Sequence, residues 1–304
     1  MSQLLRKVVI AGGTGLVGRA LLEALVAGGT QVVVLTRNPG VDLPAGAQAA
    51  AWEALPTALE GTDAVINLAG EGIADRRWNP ARKAALLASR VDTTRRLVDA
   101  LTRTAAGPKV LVNASAVGYY GAHGGEVVDE TGAQGKGFLP DVCAAWEREA
   151  DRAAASGVRV VKLRIGVVLA REGGALPKMA LPVRLFNGAK LGQGRQGLSW
   201  IHLQDLVAML ITAAVNPEWQ GVYNATAPGP VTNETFTRIL GKVLHRPILP
   251  VPAFVTRAVL PLLVGEMAEP MLLQGAFVYP RRAERQGFTF RFPDAQGAVQ
   301  DLLG

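Results

Sequence analysis

Short apolar runs alternate with amphipathic stretches through the first half of the chain. The runs are rich in Val, Ile and Leu, which is typical of strands in a sheet that is covered on both faces. In chain order they read KVVIAG, QVVVLTR, DAVINLAG, KVLVNAS and VRVVKLRIGVVLA. The stretches between them have helical spacing, so the pattern predicts crossover helices and an α/β chain with a doubly wound parallel sheet of the Rossmann type.

Glycines at the ends of the predicted helices indicate where the crossovers end. A helix is predicted directly after KVVIAG, and Gly28–Gly29 mark its end. A longer helix is predicted from Pro80 to about Thr104, and a third in DVCAAWEREADRAAASG, which ends at Gly157. Between QVVVLTR and DAVINLAG, we expect only a turn-rich stretch and one short helix.

The alternation breaks after Ala170, where segments rich in glycine and proline begin. Further helices and one short strand, GVYNAT, follow. We predict a Rossmann domain over 1–168, to which 203–228 return, and a smaller mixed α/β carboxy-terminal lobe from 169–202 and 229–304. The lobe is expected to lie over the carboxyl edge of the sheet.

The composition narrows the class of protein. The 304 residues are 49% hydrophobic, with a mean hydropathy of +0.21, which indicates a globular chain with a large core. No apolar stretch is long and charge-free enough to span a bilayer, and the opening MSQLLRK shows no signal peptide. Because the lone Cys143 cannot form an intramolecular disulfide, a reducing and cytoplasmic location is expected.

The formal net charge of +7 comes from arginines that are scattered along the chain. Nucleic-acid-binding proteins concentrate such residues in basic patches, so we expect no nucleic-acid partner. The three histidines are far apart, and no metal site is expected. The excess charge is expected to serve a solvated surface and a site for an anionic cofactor.

Three glycines at a spacing of three connect the first apolar run to the first helix. Gly12 permits a tight turn, Gly15 lets backbone N–H groups approach a diphosphate, and Gly18 allows the helix to pack closely on the strand. The N-terminus of the helix adds partial positive charge beneath the phosphates. A glycine-rich turn without a ligand is the alternative, and the strand–turn–helix context favours a dinucleotide site.

The end of the second apolar run selects the dinucleotide. NAD sites place Asp or Glu there to bind the ribose 2′-hydroxyl, whereas this chain has Thr36, Arg37 and Asn38. Arg37 can form a charge-assisted hydrogen bond with a 2′-phosphate. We therefore predict NADP(H) as the cofactor, and a solvated arginine at a strand end is the open alternative.

Longer motifs add a resemblance that covers nearly the whole chain. With NLAG and NASAVGYYG, the sequence resembles the extended short-chain dehydrogenase/reductase superfamily. The segments LAGEGIADRRWNPARKAALLASRV, RIGVVLAREGGALPKM, GQGRQGLSWIHLQDLV and VYPRRAERQGFTFRFP are similar to its atypical NAD-dependent epimerase/dehydratase-like branch, which includes the bacterial YfcH proteins. That branch resembles sugar-nucleotide epimerases in fold and has its own small carboxy-terminal domain.

The resemblance implies a set of cofactor contacts. The diphosphate would lie against the glycine turn, Arg37 would face the adenosine ribose, and the NLAG loop would pass beside the adenine-ribose side. The ends of the next two strands would flank the nicotinamide and its ribose. The residues implied are Gly12, Thr14, Gly15, Leu16, Val17, Arg37, Leu68, Ala69, Gly70, Ala114, Ser115, Arg164 and Ile165.

One departure from the superfamily concerns the acid–base pair. Its reductases carry a Tyr-x-x-x-Lys pair, in which the lysine lowers the pKa of the tyrosine and holds the ribose. When the helix is placed by its WE dipeptide, Leu139 and Cys143 stand at those two positions. Tyr120 and Ser115 are the catalytic residues that we predict instead. Packing is the favoured alternative for the tyrosine, and the serine position expected by counting back from YYG falls on Ala116, one residue from Ser115.

Polar residues in two further motifs predict a substrate site. GEGIADRRW contributes Glu71, Arg76 and Trp78, and an arginine beside a tryptophan would bind a substrate with a ring and a carboxylate or phosphate. A solvated cluster at a helix end is the alternative for Arg76. The resemblance adds Arg195 as a substrate contact, and His202 is expected to be a hydrogen-bonded core residue.

These observations support two functional hypotheses. The first is an NADP(H)-dependent oxidoreductase or nucleotide-sugar epimerase-like enzyme that acts on an unknown small molecule. The second is a non-catalytic NADP(H)-binding protein that senses the cofactor or docks a partner, which the missing tyrosine and lysine favour. The sequence leaves a homodimer open.

Overall fold

A parallel sheet with helices on both faces forms the centre of the protein. The structure is a computed structural model that describes residues 5–104, 106–123, 125–249 and 251–304. Residues 1–4, on which the expectation about a signal peptide partly rests, lie outside the described part.

Strands occur along the whole described chain, and seven of them form the central sheet. The strands are β1 (Lys7–Ala11), β2 (Gln31–Leu35), β3 (Ala47–Ala50), β4 (Ala64–Asn67), β5 (Val110–Ala116), β6 (Val127–Val128), β7 (Arg159–Ile165), β8 (Val167–Leu169), β9 (Gly197–Leu198), β10 (Trp200–His202), β11 (Gly221–Ala225), β12 (Val231–Thr232) and β13 (Phe277–Val278). The central sheet has the order β11-β7-β5-β4-β1-β2-β3, and all its pairings are parallel. The predicted doubly wound fold is confirmed.

The helices follow the strands as crossovers in the first half and dominate the second. They are α1 (Leu16–Ala27), α2 (Leu55–Leu59), α3 (Pro80–Leu101), α4 (Phe138–Asp151), α5 (Leu176–Arg184), α6 (Leu203–Val215), α7 (Asn233–Val243), α8 (Ala253–Val264), α9 (Arg281–Arg285) and α10 (Ala295–Leu303). Within the described ranges, no helix is long and apolar enough to cross a membrane.

Each face of the sheet has its own apolar core. Val8 and Ile10 point to the face that α1 and α6 cover, whereas Val9 and Ala11 point to the face that α2 and α3 cover. This alternation along β1 is the period of two that a strand imposes on its side chains. Burial on both faces explains why the strands read as continuous apolar runs.

Two details of the sheet differ from the prediction. An edge strand, β3, forms where we expect only turns, and its sequence AQAA lacks the β-branched residues that indicate a strand. The run VRVVKLRIGVVLA is two strands, because the chain leaves the sheet at Gly166 and β8 pairs with β10. A Cβ at Gly166 would lie 2.7 Å from the carbonyl oxygen of Ser199, so this close approach of two backbones requires glycine.

The carboxy-terminal lobe packs around an apolar cluster of its own. Helices α5, α7 and α10 surround fully buried side chains of Leu176, Trp200, Phe236 and Val299. Asp205, in the first turn of α6, accepts hydrogen bonds from the N–H groups of Arg291 and Phe292 at 2.9 and 3.0 Å. The chain end is thereby attached to a helix of the central sheet, while the exact domain boundaries stay a prediction.

Side chains from distant segments cover the free edge of β11, the last strand of the sheet. The Glu130 carboxylate accepts the N–H of Asn224 at 3.0 Å, and Arg282 Nη1 donates to the carbonyl oxygen of Val222 at 2.7 Å. The N–H of Arg282 in turn donates to both Glu130 oxygens at 3.3 Å. An edge with its polar groups satisfied in this way is protected from pairing with a further strand.

His202 caps the N-terminus of α6 from a buried position. Its Nδ1 accepts the N–H of Gln204 at 3.1 Å, and its ring stacks on Phe292 with 3.8 Å between the centroids. Its Nε2 lies 3.3 Å from Oδ2 of Asp301. The prediction of a hydrogen-bonded core histidine is confirmed, and the cap requires Nδ1 to be unprotonated.

Stability should fall in mild acid because of His202. Burial holds the pKa of His202 below its ordinary value of 6.5; Arg291 acts in the same direction, and Asp301 and Asp205 oppose it. The unfolded chain therefore takes up the proton first, and the stabilisation is lost as the pH falls from about 6.5 towards the folded-state pKa. Urea unfolding at a series of pH values should show a slope of at most about 1.4 kcal/mol per pH unit from this group.

His202→Asn tests this assignment, because asparagine can cap a helix without titrating. Its free energy of unfolding should change less over this pH range than that of the parent protein. The exposed His245 provides the control, since its φ of 53° also suits asparagine, and His245→Asn should keep the parental slope. An identical slope in His202→Asn and the parent would contradict the role of His202.

Candidate functional site

A cleft of about 850 Å³ opens at the carboxyl ends of β1, β2 and β4. The strand order reverses between β1 and β4, and doubly wound sheets bind their ligands at such a switch point. The cleft is lined by Gly12, Thr14, Gly15, Leu35, Thr36, Arg37, Asn38, Val41, Trp52, Leu68, Ala69, Gly70, Glu71, Ala85, Ala88, Ser89 and Thr93.

The turn after β1 packs so closely against neighbouring backbone that two of its positions leave no room for a side chain. Gly12 has a φ of +81°, and a Cβ there would lie 2.7 Å from the carbonyl carbon and oxygen of Leu68. A Cβ at Gly18 would lie 2.6 Å from the Cα of Gly13 and still closer to the Gly12 carbonyl oxygen. The packing of the protein itself therefore requires both glycines.

Gly15 is different, because the packing of the protein does not require it. It is the N-cap of α1, its φ is −78°, and a Cβ there would meet only the Gly12 carbonyl oxygen, at 3.5 Å. The helix has no side-chain cap and no acidic residue in its first turn, so its first N–H groups are available to an anion. An open glycine beside uncapped N–H groups fits a bound diphosphate.

Arg37 gives the adjoining end of the cleft a positive charge. It is exposed, and within the described ranges no hydrogen bond or ion pair engages its guanidinium. The hydroxyl of Thr36 already accepts the N–H of Asn38, at 3.1 Å. Glu71, the acidic residue of the lining, forms an ion pair with Arg82. Arg37 is thus left without a counter-charge beside the cleft.

A buried amide network fixes the loop after β4. Asn67 Nδ2 donates to Thr94 Oγ1 at 2.9 Å and to Asn113 Oδ1 at 2.7 Å, while Asn67 Oδ1 accepts the N–H of Ala69 at 3.2 Å. Trp146 Nε1 also donates to Thr94 Oγ1, at 2.9 Å. The sequence alone does not predict this network. The pattern that could have revealed it is an asparagine near the carboxyl end of each of two adjacent apolar strands.

A second buried cluster lies at the carboxyl ends of β5 and β7. Ser115 Oγ donates to Glu147 Oε1 at 2.7 Å, and Arg164 donates to both oxygens of that carboxylate at 2.8 and 2.9 Å. The guanidinium also stacks on Tyr119, 3.3 Å from the ring centroid. Sequence reasoning misses Glu147, although its position after Trp146 on an apolar helix face marks it as a buried charge.

The predicted catalytic hydroxyls do not reach the cleft. Tyr120 is fully buried and donates to Asn224 Oδ1 at 2.7 Å. Burial raises the pKa of Tyr120 to about 12, although Arg164 and Asn224 lower it. Ser115 is 2% exposed and is engaged with Glu147. Because a general acid must reach the substrate, this geometry does not support the roles predicted for Tyr120 and Ser115.

Leu139 and Cys143, at the positions of the missing tyrosine and lysine, face the turn after β5. A Cβ at Gly118 would lie 3.5 Å from Leu139 Cβ and 3.8 Å from Cys143 Sγ. Burial raises the pKa of the Cys143 thiol to about 11, and Glu147 adds to that effect. The cysteine is a buried thiol, and neither residue can transfer a proton as the tyrosine would.

The cleft brings together the predicted residues of the glycine turn, the second strand end and the NLAG loop, but not those of the later strands. Leu16 and Val17 lie at the start of α1 and pack towards the protein. Ala114 is buried within β5, and Arg164 is 4% exposed. The predicted cofactor contacts outside the lining are Leu16, Val17, Ala114, Ser115, Arg164 and Ile165.

The predicted substrate residues are not assembled into one site. Glu71 lines the cleft, whereas Arg76 and Arg195 are exposed and lie outside the lining. Trp78 is 7% exposed, and its ring packs edge-on against Phe138 with 5.1 Å between the centroids. Its ring is therefore not available to stack on a substrate, and the structure does not support the predicted corner with Arg76.

Comparisons with known proteins show to which family the chain belongs. A model described as the NAD dependent epimerase/dehydratase family matches residues 8–225, and a model of a domain of unknown function, DUF1731, matches residues 251–302. The chain is 40% identical to the chloroplastic homolog of Epimerase family protein SDR39U1 from Arabidopsis thaliana, over 97% of this chain and 86% of that protein.

Two solved structures resemble the chain in both fold and sequence. The human epimerase family protein SDR39U1 (isoform 2), crystallised with NADPH, has a TM-score of 0.86 and 34% identity over 98% of this chain and 99% of that one. A nucleoside-diphosphate sugar epimerase from Corynebacterium glutamicum has a TM-score of 0.80 and 32% identity over 99% of this chain and 59% of that one. This chain therefore belongs to the NAD dependent epimerase/dehydratase family.

Proposed function

We propose that this protein binds NADP(H) in the cleft and acts on a small molecule in the manner of the epimerases and reductases of its family. The observation that carries the proposal is Arg37, a guanidinium without a partner in the described chain, beside the uncapped N-terminus of α1. The NADPH in the crystal structure of human SDR39U1 supports the same choice of cofactor.

Different residues of the cleft would bind different parts of the cofactor. The first N–H groups of α1 and the open face of Gly15 would hold the diphosphate, and Arg37 would bind the 2′-phosphate. The backbone of Leu68–Gly70, fixed by Asn67, would hold the adenosine side. Bound there, NADP(H) would supply or accept a hydride.

A second candidate function is an NADP(H)-binding sensor or partner-docking protein without turnover. One observation favours it: Leu139 and Cys143 replace the acid–base pair, while the hydroxyls of Ser115 and Tyr120 are committed to buried partners. A panel of carbonyl compounds and nucleotide sugars, incubated with NADPH, separates the two. Loss of the absorbance of reduced nicotinamide supports the enzyme, and binding without such loss supports the sensor.

The remaining expectations about partners and location stay predictions. A homodimer, which light scattering would detect, and the absence of a nucleic-acid partner rest on the sequence. A cytoplasmic location rests on the single cysteine, and the Arabidopsis relative is named as chloroplastic.

Arg37→Ala should weaken NADPH binding by about 10- to 100-fold and leave the affinity for NADH unchanged, because only the 2′-phosphate loses its partner. Calorimetric titration of both coenzymes measures the ratio. Arg184→Ala, which removes an exposed arginine from the last turn of α5, is the matched control and should bind both coenzymes like the parent. An unchanged ratio of the two affinities in Arg37→Ala would refute the assignment.

Two glycine variants should separate binding from folding. Gly18→Ala should lower the free energy of unfolding by about 1–3 kcal/mol, because its Cβ meets the backbone of the turn. Gly15→Ala should change that energy by less than about 1 kcal/mol and yet weaken NADPH binding by at least about 10-fold, because its methyl group projects towards the ligand. Urea unfolding and calorimetry measure the two effects. Full NADPH affinity in Gly15→Ala would mean that the diphosphate lies elsewhere.

Tyr120→Phe should lower the free energy of unfolding by about 1–3 kcal/mol, because Asn224 Oδ1 loses its buried donor. NADPH affinity, and any turnover found with the panel, should be retained. Urea unfolding, calorimetry and the absorbance assay measure these quantities. Loss of turnover at unchanged NADPH affinity would restore Tyr120 as an acid.

A further inference from the structure

Arg90, on the inner side of α3, lies directly behind one wall of the cleft. Its Nη2 donates to the carbonyl oxygen of Glu71 at 3.0 Å, and its Nη1 lies 3.5 Å from Ser89 Oγ. A Cβ at Gly70 would lie 3.1 Å from the guanidinium carbon. Gly70, Glu71 and Ser89 all line the cleft. Arg90 itself is outside the lining, and its guanidinium packs against a glycine, a backbone carbonyl and a small hydroxyl side chain that belong to it.

The charge of Arg90 is not neutralised by a carboxylate. Its two terminal nitrogens donate to the carbonyl oxygens of Leu86 and Glu71, and no ion pair in the described ranges includes it. The side chain of Glu71, whose carbonyl oxygen accepts from Arg90, forms an ion pair with Arg82. Arg90 is half-buried, and burial lowers its pKa. A partly buried cation that is held only by neutral oxygen atoms is favoured by an anionic group nearby.

Helix α4 provides no positively charged side chain at Cys143, the position where the superfamily's reductases have a lysine. The Arg90 guanidinium lies 5.3 Å from the centroid of the Trp146 ring, and Cys143 precedes that tryptophan by nearly one helical turn. Cys143 stands where a lysine would hold the ribose and is buried and apolar. The positive charge therefore reaches this part of the cleft from α3 instead of α4.

We propose that Arg90 binds the portion of NADP(H) beyond the adenosine and first phosphate, namely the second phosphate and the nicotinamide-side ribose. This proposal rests on the function proposed above. It assigns two separate arginines to the cofactor: Arg37 to the 2′-phosphate and Arg90 to the second phosphate and the nicotinamide-side ribose. The small residues Gly70 and Ser89 are what allow the guanidinium to reach the ligand.

Calorimetry with three ligands tests the assignment: NADPH, NADH and adenosine 2′,5′-bisphosphate, which ends at the first phosphate. Arg90→Met should weaken NADPH and NADH by the same factor, about 10- to 100-fold, and leave the bisphosphate unchanged. Arg37→Ala should show the opposite pattern, with NADPH and the bisphosphate weakened and NADH unchanged. Unchanged binding of all three ligands in Arg90→Met would overturn the proposal, and so would a loss confined to NADPH.

Two further variants separate binding from folding. Arg90→Lys keeps the charge and should hold both coenzymes within a few-fold of the parent, whereas a loss as large as that of Arg90→Met would overturn the role of the charge. Arg95→Met is the matched control, since Arg95 is an exposed arginine of α3 that pairs with Glu149 of α4, and it should bind like the parent.

The adenosine bisphosphate also reports on the integrity of the fold. If Arg90→Met binds this ligand normally, the adenosine half of the cleft is intact. A loss of coenzyme affinity is then caused by the loss of the Arg90 side chain. If the parent protein binds neither coenzyme, the proposed function fails. If the parent binds both and Arg90→Met binds them equally well, only the assignment of Arg90 fails.

Discussion

The close approach of three backbone segments is the constraint on which the site depends. The turn after β1 touches the loop after β4 at Gly12 and Leu68, and α1 touches the same turn at Gly18 and Gly13. No side chain fits at either contact, so the first turn of α1 is held at the point where the strand order reverses. The cleft and its uncapped N–H groups are consequences of that packing, and they exist before any ligand binds.

Which arginines are paired with a carboxylate, and which are not, determines the electrostatic potential of the cleft. Arg164 is neutralised by Glu147, and Arg82 by Glu71. Arg37 and Arg90 have no carboxylate partner in the described chain; Arg37 lines the cleft, and Arg90 contacts Gly70 and the carbonyl oxygen of Glu71, which line it. Because low-dielectric walls concentrate such a field, two unpaired guanidinium groups and a helix N-terminus together make this cleft attractive to an extended anion.

The sequence predicts the part of the candidate site that lines the cleft better than the rest, for a physical reason. The glycine turn and Arg37 are local in sequence, and their geometry follows from one strand, one turn and one helix. The cluster of Ser115, Glu147 and Arg164 joins β5, α4 and β7, so its contacts depend on tertiary packing that no local pattern encodes. Aromatic side chains mislead for the same reason, since Trp78 and Tyr120 resemble ligand contacts in a motif and are interior residues in the fold.

Edge strand β3 and the break at Gly166 show the limits of hydrophobic patterning in the sheet itself. An edge strand needs fewer β-branched residues than a central one, so AQAA reads as a turn. Gly166 lies within a continuous apolar run, and only its contact with Ser199 reveals that the chain changes sheets there.

The covering of β11 has a consequence for how the protein is made. Glu130 is synthesised before this strand, but Arg282 follows Val222 by 60 residues. A growing chain therefore passes through a period in which the strand has formed and half of its outer edge is bare. Unpaired edges in unfinished chains promote aggregation. Rapid completion on the ribosome, or shielding by a chaperone until α9 arrives, would carry the nascent protein through that interval.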